Sequence, residues 1–370
     1  MSAKYFKYPS HFIITLITVL IVAILISLVF NISVLIPVKS AIKDFKMSDL
    51  YYQICHTGTQ PESNEVFVVD ISALRSRKAI AQVIKELDDC KVRVIALDLL
   101  FEADDRHLDN MELMNTIYSA NASLVCGAEL RNDSLYSSFF VDKNITQGYM
   151  NTPIRLNYET LRSYSYSKTV KNDTLNSFPY EIVNAYGINK TKTVDKIHNI
   201  NFTDVKIPII NYKDIKSYEN RIKDKIVIIG AATSGEDVFW TPIGNVSGPE
   251  CMGMIVNTII KSNEIKNIPN WASILFGLVT IYLYVIWCSI IHFKTPRIKP
   301  ILLMLSGAIA TLLLEYSNMI LMHYFSFSIE LIYAVLGIAL AGSSLALYVA
   351  VLFLLKRLDL IKAERYIYLR

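Results

Sequence analysis

Several signatures that would fix the chemistry of this chain are missing. The stretch DKIVIIGAATSGEDVFWTPIG (224–244) begins as many phosphate-binding loops do, with an apolar run emptying into a Gly-rich turn. Gly230 and Gly235 even have the spacing of G-x-x-x-x-G-K-[ST]. The lysine and hydroxyl residue are absent, and Glu236 and Asp237 follow instead. Two carboxylates there repel a triphosphate. Trp240, Thr241 and Pro242 then take the place of the helix whose N-terminus completes such a site. Ser-His-Asp, zinc-site and nucleophile-elbow patterns are also lacking. The five cysteines have no metal-ligand spacing, so no metal or other cofactor is expected. Whether Cys55, Cys90, Cys126 and Cys251 form a disulfide stays open. There is no internal repeat and no low-complexity linker.

What the chain has in abundance is apolar sequence. Of its 370 residues 52% are hydrophobic, and the mean hydropathy is +0.34, too apolar for an ordinary soluble protein. A membrane core roughly 30 Å thick needs about 20 apolar residues in a helix. Four runs qualify: 12–38, 271–293, 301–322 and 329–355. The first is longer than the 7–15-residue apolar core of a signal peptide, and no A-x-A site follows it. It reads as an uncleaved anchor.

Charge then orients the spans. Ten of the 37 basic residues lie outside segment 39–270: Lys4, Lys7, Lys294, Arg297, Lys299, Lys356, Arg357, Lys362, Arg365 and Arg370. With four spans all ten fall on one side, which the positive-inside rule makes cytoplasmic. The expected organisation is a cytoplasmic N-terminus and anchor (1–38), an extracytoplasmic domain (39–270), three transmembrane helices (271–355) and a basic cytoplasmic tail (356–370). The expected location is the bacterial cytoplasmic membrane, multi-pass, with the lipid bilayer as the first partner. Segment 39–270 has 27 basic and 29 acidic residues, so it offers no basic patch to nucleic acid.

That segment reads as an α/β domain. Glu65-Val-Phe-Val-Val-Asp70 and Val92-Arg-Val-Ile-Ala-Leu-Asp98 are apolar strands that end in aspartate. Between them Ile80, Val83, Ile84 and Leu87 recur at helical spacing. A second helical pattern (108–119) leads to Ser123-Leu-Val-Cys-Gly127. KIVIIG is a further buried strand, and 253–261 a last helix. This rhythm implies a mainly parallel sheet flanked by helices, joined to an all-α four-helix transmembrane region. Segment 128–205 is polar and poorly periodic, which implies long loops with short elements and a helix near 179–186.

Asp70, Asp98 and the Glu236-Asp237 turn all fall at or just past strand carboxyl ends, the edge at which open α/β sheets bind ligands. Clustered there, they could coordinate a hard cation or accept hydrogen bonds from a cationic ligand. Each could equally cap a helix or order a turn.

VFVVDIS with Arg77, VIALDLLFEADD, GYMN (148–151), IINY (209–212), KIVIIGAATSGEDVFWTPIG and GPECMGMIVNTII together resemble the second class of CHASE domain (CHASE2-type). These are extracellular sensory modules associated with bacterial cyclases and histidine kinases. The resemblance covers nearly all of 60–262 and implies one helix before the domain and three after it. It makes the opening turn a structural element of that fold, with Asp237 and Thr241-Pro242 at the family's Asp and TP positions. It adds Asp104, in FEADD, to Asp70, Asp98, Asp237 and Thr241 as candidate ligand-binding residues. The Trp/Pro-rich stretch expected before the first helix is replaced by Ser72-Ala-Leu-Arg-Ser, and a usual Gly is replaced around Pro249-Glu250-Cys251. Relatives usually carry an output domain after the last span, whereas only about 15 residues follow it here. The expectation is therefore a sensory subunit that is not itself an enzyme and signals through a separate membrane or cytoplasmic protein.

Inside the third span Glu315 lies about 5 Å from the middle, where a carboxyl is costly and a functional position by default. It would be protonated and bonded to a neighbouring span, paired with a partner protein, or reaching toward the interface. Gly342, Ala346 and Ala350 form a small-residue stripe that permits close helix packing, within the chain or in a homo-oligomer. The competing readings are a membrane-anchored envelope scaffold or adhesion protein without signalling, and an extracytoplasmic enzyme using Asp70, Asp98 and Asp237 on a cation.

Overall fold

The computed structural model describes residues 7–29, 44, 46, 48–56, 60–102, 107–142, 144–153, 159–171, 173–235, 237–294 and 299–357. The chain divides into two compact units, Asp49–Ile265 and the remainder, Met1–Ser48 with Lys266–Arg370.

The first unit is built on a sheet of seven strands. They are β1 (Val66–Asp70), β2 (Val94–Leu97), β3 (Ser123–Arg131), β4 (Ser134–Tyr136), β5 (Thr146–Tyr149), β10 (Ile209–Asn211) and β11 (Ile226–Gly230). Their order is β10-β1-β11-β2-β3, with β4 and β5 both on β3. Every pairing is parallel except β3–β4. All residues of β1, β2 and β11 are buried, because helices cover both faces of the sheet and leave no strand face for water.

Helices α3 (Arg77–Asp89) and α4 (His107–Ser119) cover one face. Ser76 caps α3, its Oγ accepting the Ala79 amide at 3.1 Å. Ile80, Val83, Ile84 and Leu87 then fall on one stripe and pack with Phe67, Ile95, Leu97, Val227 and Ile229 of the strands. Each such buried side chain contributes about 1.5–3 kcal/mol. Helices α5 (Phe178–Ala185) and α7 (Gly248–Lys261) lie on the other face, α7 against β1 and β11, α5 against β3 and β5. The helical elements described between them in sequence are a 3-10 turn (Tyr212–Tyr218) and the one-turn α6 (Glu219–Ile222). From Gly248 to Ile259 nearly every residue of α7 is buried, which makes it the central helix of the unit.

The expected strands and helices are present, with two extensions. β3 runs on to Arg131 and turns into β4 through Asn132 and Asp133, both at positive φ, which suits a tight two-residue hairpin. α7 starts at Gly248 rather than 253, because Pro249 has a preset φ and no amide to lose in the first turn. The polar segment forms two small ribbons, β6 (Ser163–Ser165) with β9 (Ile197–Asn199) and β7 (Ser167–Val170) with β8 (Asp173–Asn176). After β11 comes a hairpin of β12 (Val238–Thr241) and β13 (Gly244–Ser247). The unit opens with α2 (Ser48–His56).

The second unit holds four helices: α1 (Lys7–Val29), α8 (Asn270–Lys294), α9 (Lys299–Phe325) and α10 (Ile332–Arg357). Two stretches, Asn270–Ile291 and Ile301–Phe325, are long and apolar enough to cross a membrane. Among the described residues α1 and α10 contribute shorter apolar stretches, Pro9–Val22 and Ile332–Leu345. The remainder of the expected first span, 30–38, lies outside the described residues. A core of Ile281, Tyr284, Val285, Cys288, Ile338 and Ala341 joins α8 to α10. Strand β14 (Lys266–Asn267) pairs with β15 (Phe327–Ser328) in the turn between α9 and α10. All five cysteines are free thiols.

Candidate functional site

The three central strands end level with one another. Asp70 of β1 is in register with Gly230 of β11, and Leu97 of β2 with Ile229, so Asp98 flanks Gly230 from the other side. A glycine thus stands between two aspartates at the carboxyl edge of the sheet. A side chain at Gly230 would run into Pro249 Cγ and lie 3.4 Å from Asp98 Cβ. The glycine admits the head of α7 to the strand end. The turn after KIVIIG therefore delivers a helix to this edge, but only after the β12–β13 hairpin, and with Ser247-Gly248-Pro249-Glu250 as its first turn.

The two aspartates have opposite surroundings. Asp70 is 7% exposed and fully engaged. Its Oδ1 accepts the Ser72 amide (3.0 Å), the Ser72 hydroxyl (2.5 Å) and the Ala232 amide (2.9 Å), and its Oδ2 accepts the Thr233 hydroxyl (2.6 Å). Burial alone would raise its pKa. The hydrogen bonds from Ser72, Thr233 and Ala232 outweigh it and hold the carboxyl below its ordinary value. Asp70 thus ties β1 to the loop after β11.

Asp98 has no such support. Its amide donates to Ile229 O at 2.9 Å, but its Oδ2 is buried and no hydrogen-bond donor reaches it. Burial pushes this carboxyl up to about 7, and the negative charge of Asp237 adds to the shift. Asp237 is folded back onto the head of α7. Its carbonyl accepts the Gly248 amide at 3.0 Å, and its Oδ2 sits where a Gly248 side chain would be. Although the residue as a whole is exposed, the surroundings of its carboxyl are buried enough to raise its pKa as well. Cys251, one turn into α7, is fully buried, and its thiol is pushed far up by burial and by Glu250, Asp98 and Asp237. This environment disfavours its thiolate form.

The structure therefore brings Asp98 and Asp237 together and gives Asp70 to the adjacent loop. Thr241 belongs to the hairpin turn, where its Oγ1 donates to Gly244 O at 2.7 Å while Gly244 takes φ +112°. Asp104 lies outside the described residues. No group of three or more His, Cys, Asp or Glu suited to a metal occurs among the described residues. What the couple can do is hold a proton, or a cationic group drawn by the two carboxylates against the opposing positive end of the α7 dipole.

Sequence reading missed how the unit's two connections are held. At the entry, Arg162, just before β6, donates from Nε and Nη2 to both oxygens of Asp49 (2.8 and 2.6 Å), and Tyr52 Oη donates to Ile200 O at 3.1 Å. At the exit, His198 Nδ1 bonds the Glu264 carboxylate, Asn199 Nδ2 donates to Ile265 O (2.6 Å), and Asn201 Nδ2 donates to Asn263 O (3.0 Å). One ribbon, β6–β9, with the residues beside it, binds both ends. Tyr166 stacks on the His198 ring at 4.5 Å. No periodic signal marks these residues in the sequence.

In the second unit Glu315 is 5% exposed and its Oε1 is buried without a hydrogen-bond donor. Gly342 leaves ordinary contact to Leu303, Ala350 is exposed, and the side chain of Ala346 lies outside the described residues. Close helix approach occurs at Gly337, where any side chain would run into Ile281, and at fully buried Ala341. A polar group unremarked in the sequence also lies here: His11 Nδ1 meets Ser289 Oγ at 3.3 Å, and Thr15 Oγ1 meets Ser344 Oγ at 2.6 Å.

A family model for the CHASE2 domain matches residues 19–290. No curated protein and no solved structure matches the chain.

Proposed function

Because the chain belongs to the CHASE2 domain family, we propose that Asp49–Ile265 is the extracytoplasmic sensory unit of a membrane-bound receptor subunit. In this reading it takes a cationic ligand at Asp98 and Asp237 and passes the change through the apolar helices to a separate signalling protein. One observation carries the proposal: α7 has the carboxylate couple at its N-terminus, and its C-terminus runs directly into the strapped exit segment 263–265. A ligand that changes the charge at one end acts on a buried helix whose other end leads to β14 and α8. Such a ligand shifts the receptor only by as much as it prefers one arrangement over the other.

The four-span topology with both termini cytoplasmic is part of the same proposal. It is supported by the ten basic residues outside 39–270 and by the two apolar helices of membrane-spanning length. The slight acidic excess of 39–270 favours a cationic ligand over nucleic acid. The subunit is proposed as a non-enzyme.

The test is thermal unfolding of the full-length protein in detergent against divalent cations and amines. A site occupied at 100 times its dissociation constant raises stability by about 2.7 kcal/mol. Stabilisation by one cation class, abolished in Asp98→Asn and kept in Asp70→Asn, is the expected result. A stabiliser indifferent to Asp98, or none across the panel, removes this assignment.

A further inference from the structure

Beyond the carboxylate couple, the same face of the sheet encloses a small cavity at the carboxyl end of β5. Tyr149 and Met150 of the GYMN stretch, Tyr164 of β6, Ser177 at the head of α5, and Met252 and Ile255 of α7 contribute to its wall. The room in it for the centre of a water molecule is about 20 Å³. One buried water needs roughly 10–15 Å³ on that measure, together with two to four polar partners.

Two such partners are waiting. Tyr164 and Ser177 are each 4% exposed; among the described residues nothing bonds Ser177 Oγ, and Tyr164 Oη lies against the Tyr166 side chain without a hydrogen bond of good geometry. The second case is notable for its position. Ser177 is the N-cap of α5, with the extended backbone that normally turns a serine hydroxyl onto the first-turn amides. It makes no such bond. The neighbouring hydroxyls are already used, since Tyr149 Oη and Ser165 Oγ bond each other at 2.7 Å. Among the described residues no charged side chain lines the cavity, so from these an ion would gain no counter-charge.

We infer that this cavity binds a single water molecule that bridges Tyr164 Oη and Ser177 Oγ. The water joins β6, the strand of the ribbon that holds both chain connections, to the head of α5, beside Met252 and Ile255 of the central helix. The inference stands independently of the ligand assigned to Asp98 and Asp237.

The sign of a mutational effect tests it. If the two hydroxyls are dry, Tyr164→Phe and Ser177→Ala each delete an unsatisfied buried group, and each raises the unfolding temperature. If a water bridges them, each single change strips a partner from it and lowers that temperature. Both changes together then cost less than the sum of the two, because the shared water leaves once. Ser177→Ala is clean here, since no capping bond is lost with the hydroxyl. The measurement is thermal unfolding of the full-length protein in detergent for the wild type, both single variants and the double variant. Lowering by each single change with a sub-additive double is the expected outcome. A rise in either single variant, no change, or strict additivity overturns the inference. An experimental density map lacking a peak within hydrogen-bond distance of both hydroxyls overturns it as well.

Discussion

Asp98→Asn is the substitution that isolates what the buried carboxyl costs. The folded carboxyl titrates near 7, against about 3.9 in an unfolded chain. Its pKa is raised, so over about pH 4 to 7 the folded state keeps a proton that the unfolded state has released. Stability therefore falls as the pH rises through that window. Between pH 5 and pH 8 this single group removes about 2–3 kcal/mol. The amide of the variant cannot titrate, so its stability should be flatter over the same range. Any fixed penalty for the amide is the same at both pH values and cancels in the comparison. The assay is denaturant unfolding of the full-length wild type and variant in detergent at pH 5, 6, 7 and 8. The gap between them should move in favour of the variant by about 2–3 kcal/mol from the first pH to the last. Parallel curves would refute the reasoning, for they would mean that Asp98 ionises in the folded protein as easily as in the unfolded one.

Asp70→Ala should behave in the opposite sense. Removing a carboxylate that accepts from Ser72, Ala232 and Thr233 should cost about 2–4 kcal/mol at neutral pH. Because the Asp70 pKa is lowered, that cost should shrink as the pH falls below about 4, which chemical unfolding at pH 7 and pH 3 would check. Gly230→Ala should cost about 1–3 kcal/mol by driving a methyl into Pro249, measurable as a lowered denaturation midpoint. Retained stability in that variant would mean that α7 can draw back from the strand end.

The sheet was legible because its strands are buried on both faces. VFVVD, VIAL and IVIIG have no polar alternation to blur them, and the Ile80–Leu87 stripe announces α3. The difference between Asp70 and Asp98 was not legible. Both end apolar strands, and only the fold decides that loop 231–233 bends its amide and hydroxyl donors toward one and away from the other. The β6–β9 ribbon escaped for another reason. Its strands are three residues each, lie more than 30 residues apart, and apart from Ile197 are made of Ser, Tyr, His and Asn, which carry no hydrophobic period. On α10 a close approach to α8 falls at Gly337 and Ala341, which no spacing in the sequence sets apart from the stripe of small residues that follows. Gly342, Ala346 and Ala350 share a spacing with many helix pairs, but Gly337 and Ala341 are the positions where the facing Ile281 and its neighbours leave no room.

That ribbon also restricts how the two ends of the unit can move relative to each other. Two chain segments anchored separately to a domain can slide past each other, one advancing while the other stays. Here the entry helix and the exit segment are fastened to a single two-stranded ribbon and the residues beside it, through Asp49 and Tyr52 on one side and Asn263, Glu264 and Ile265 on the other. While those bonds hold, the two ends share one set of rigid-body freedoms, so they tilt or turn together and a piston stroke of one against the other is blocked. A sliding stroke requires breaking either the entry bonds or the exit bonds, with the His198–Glu264 contact among the latter.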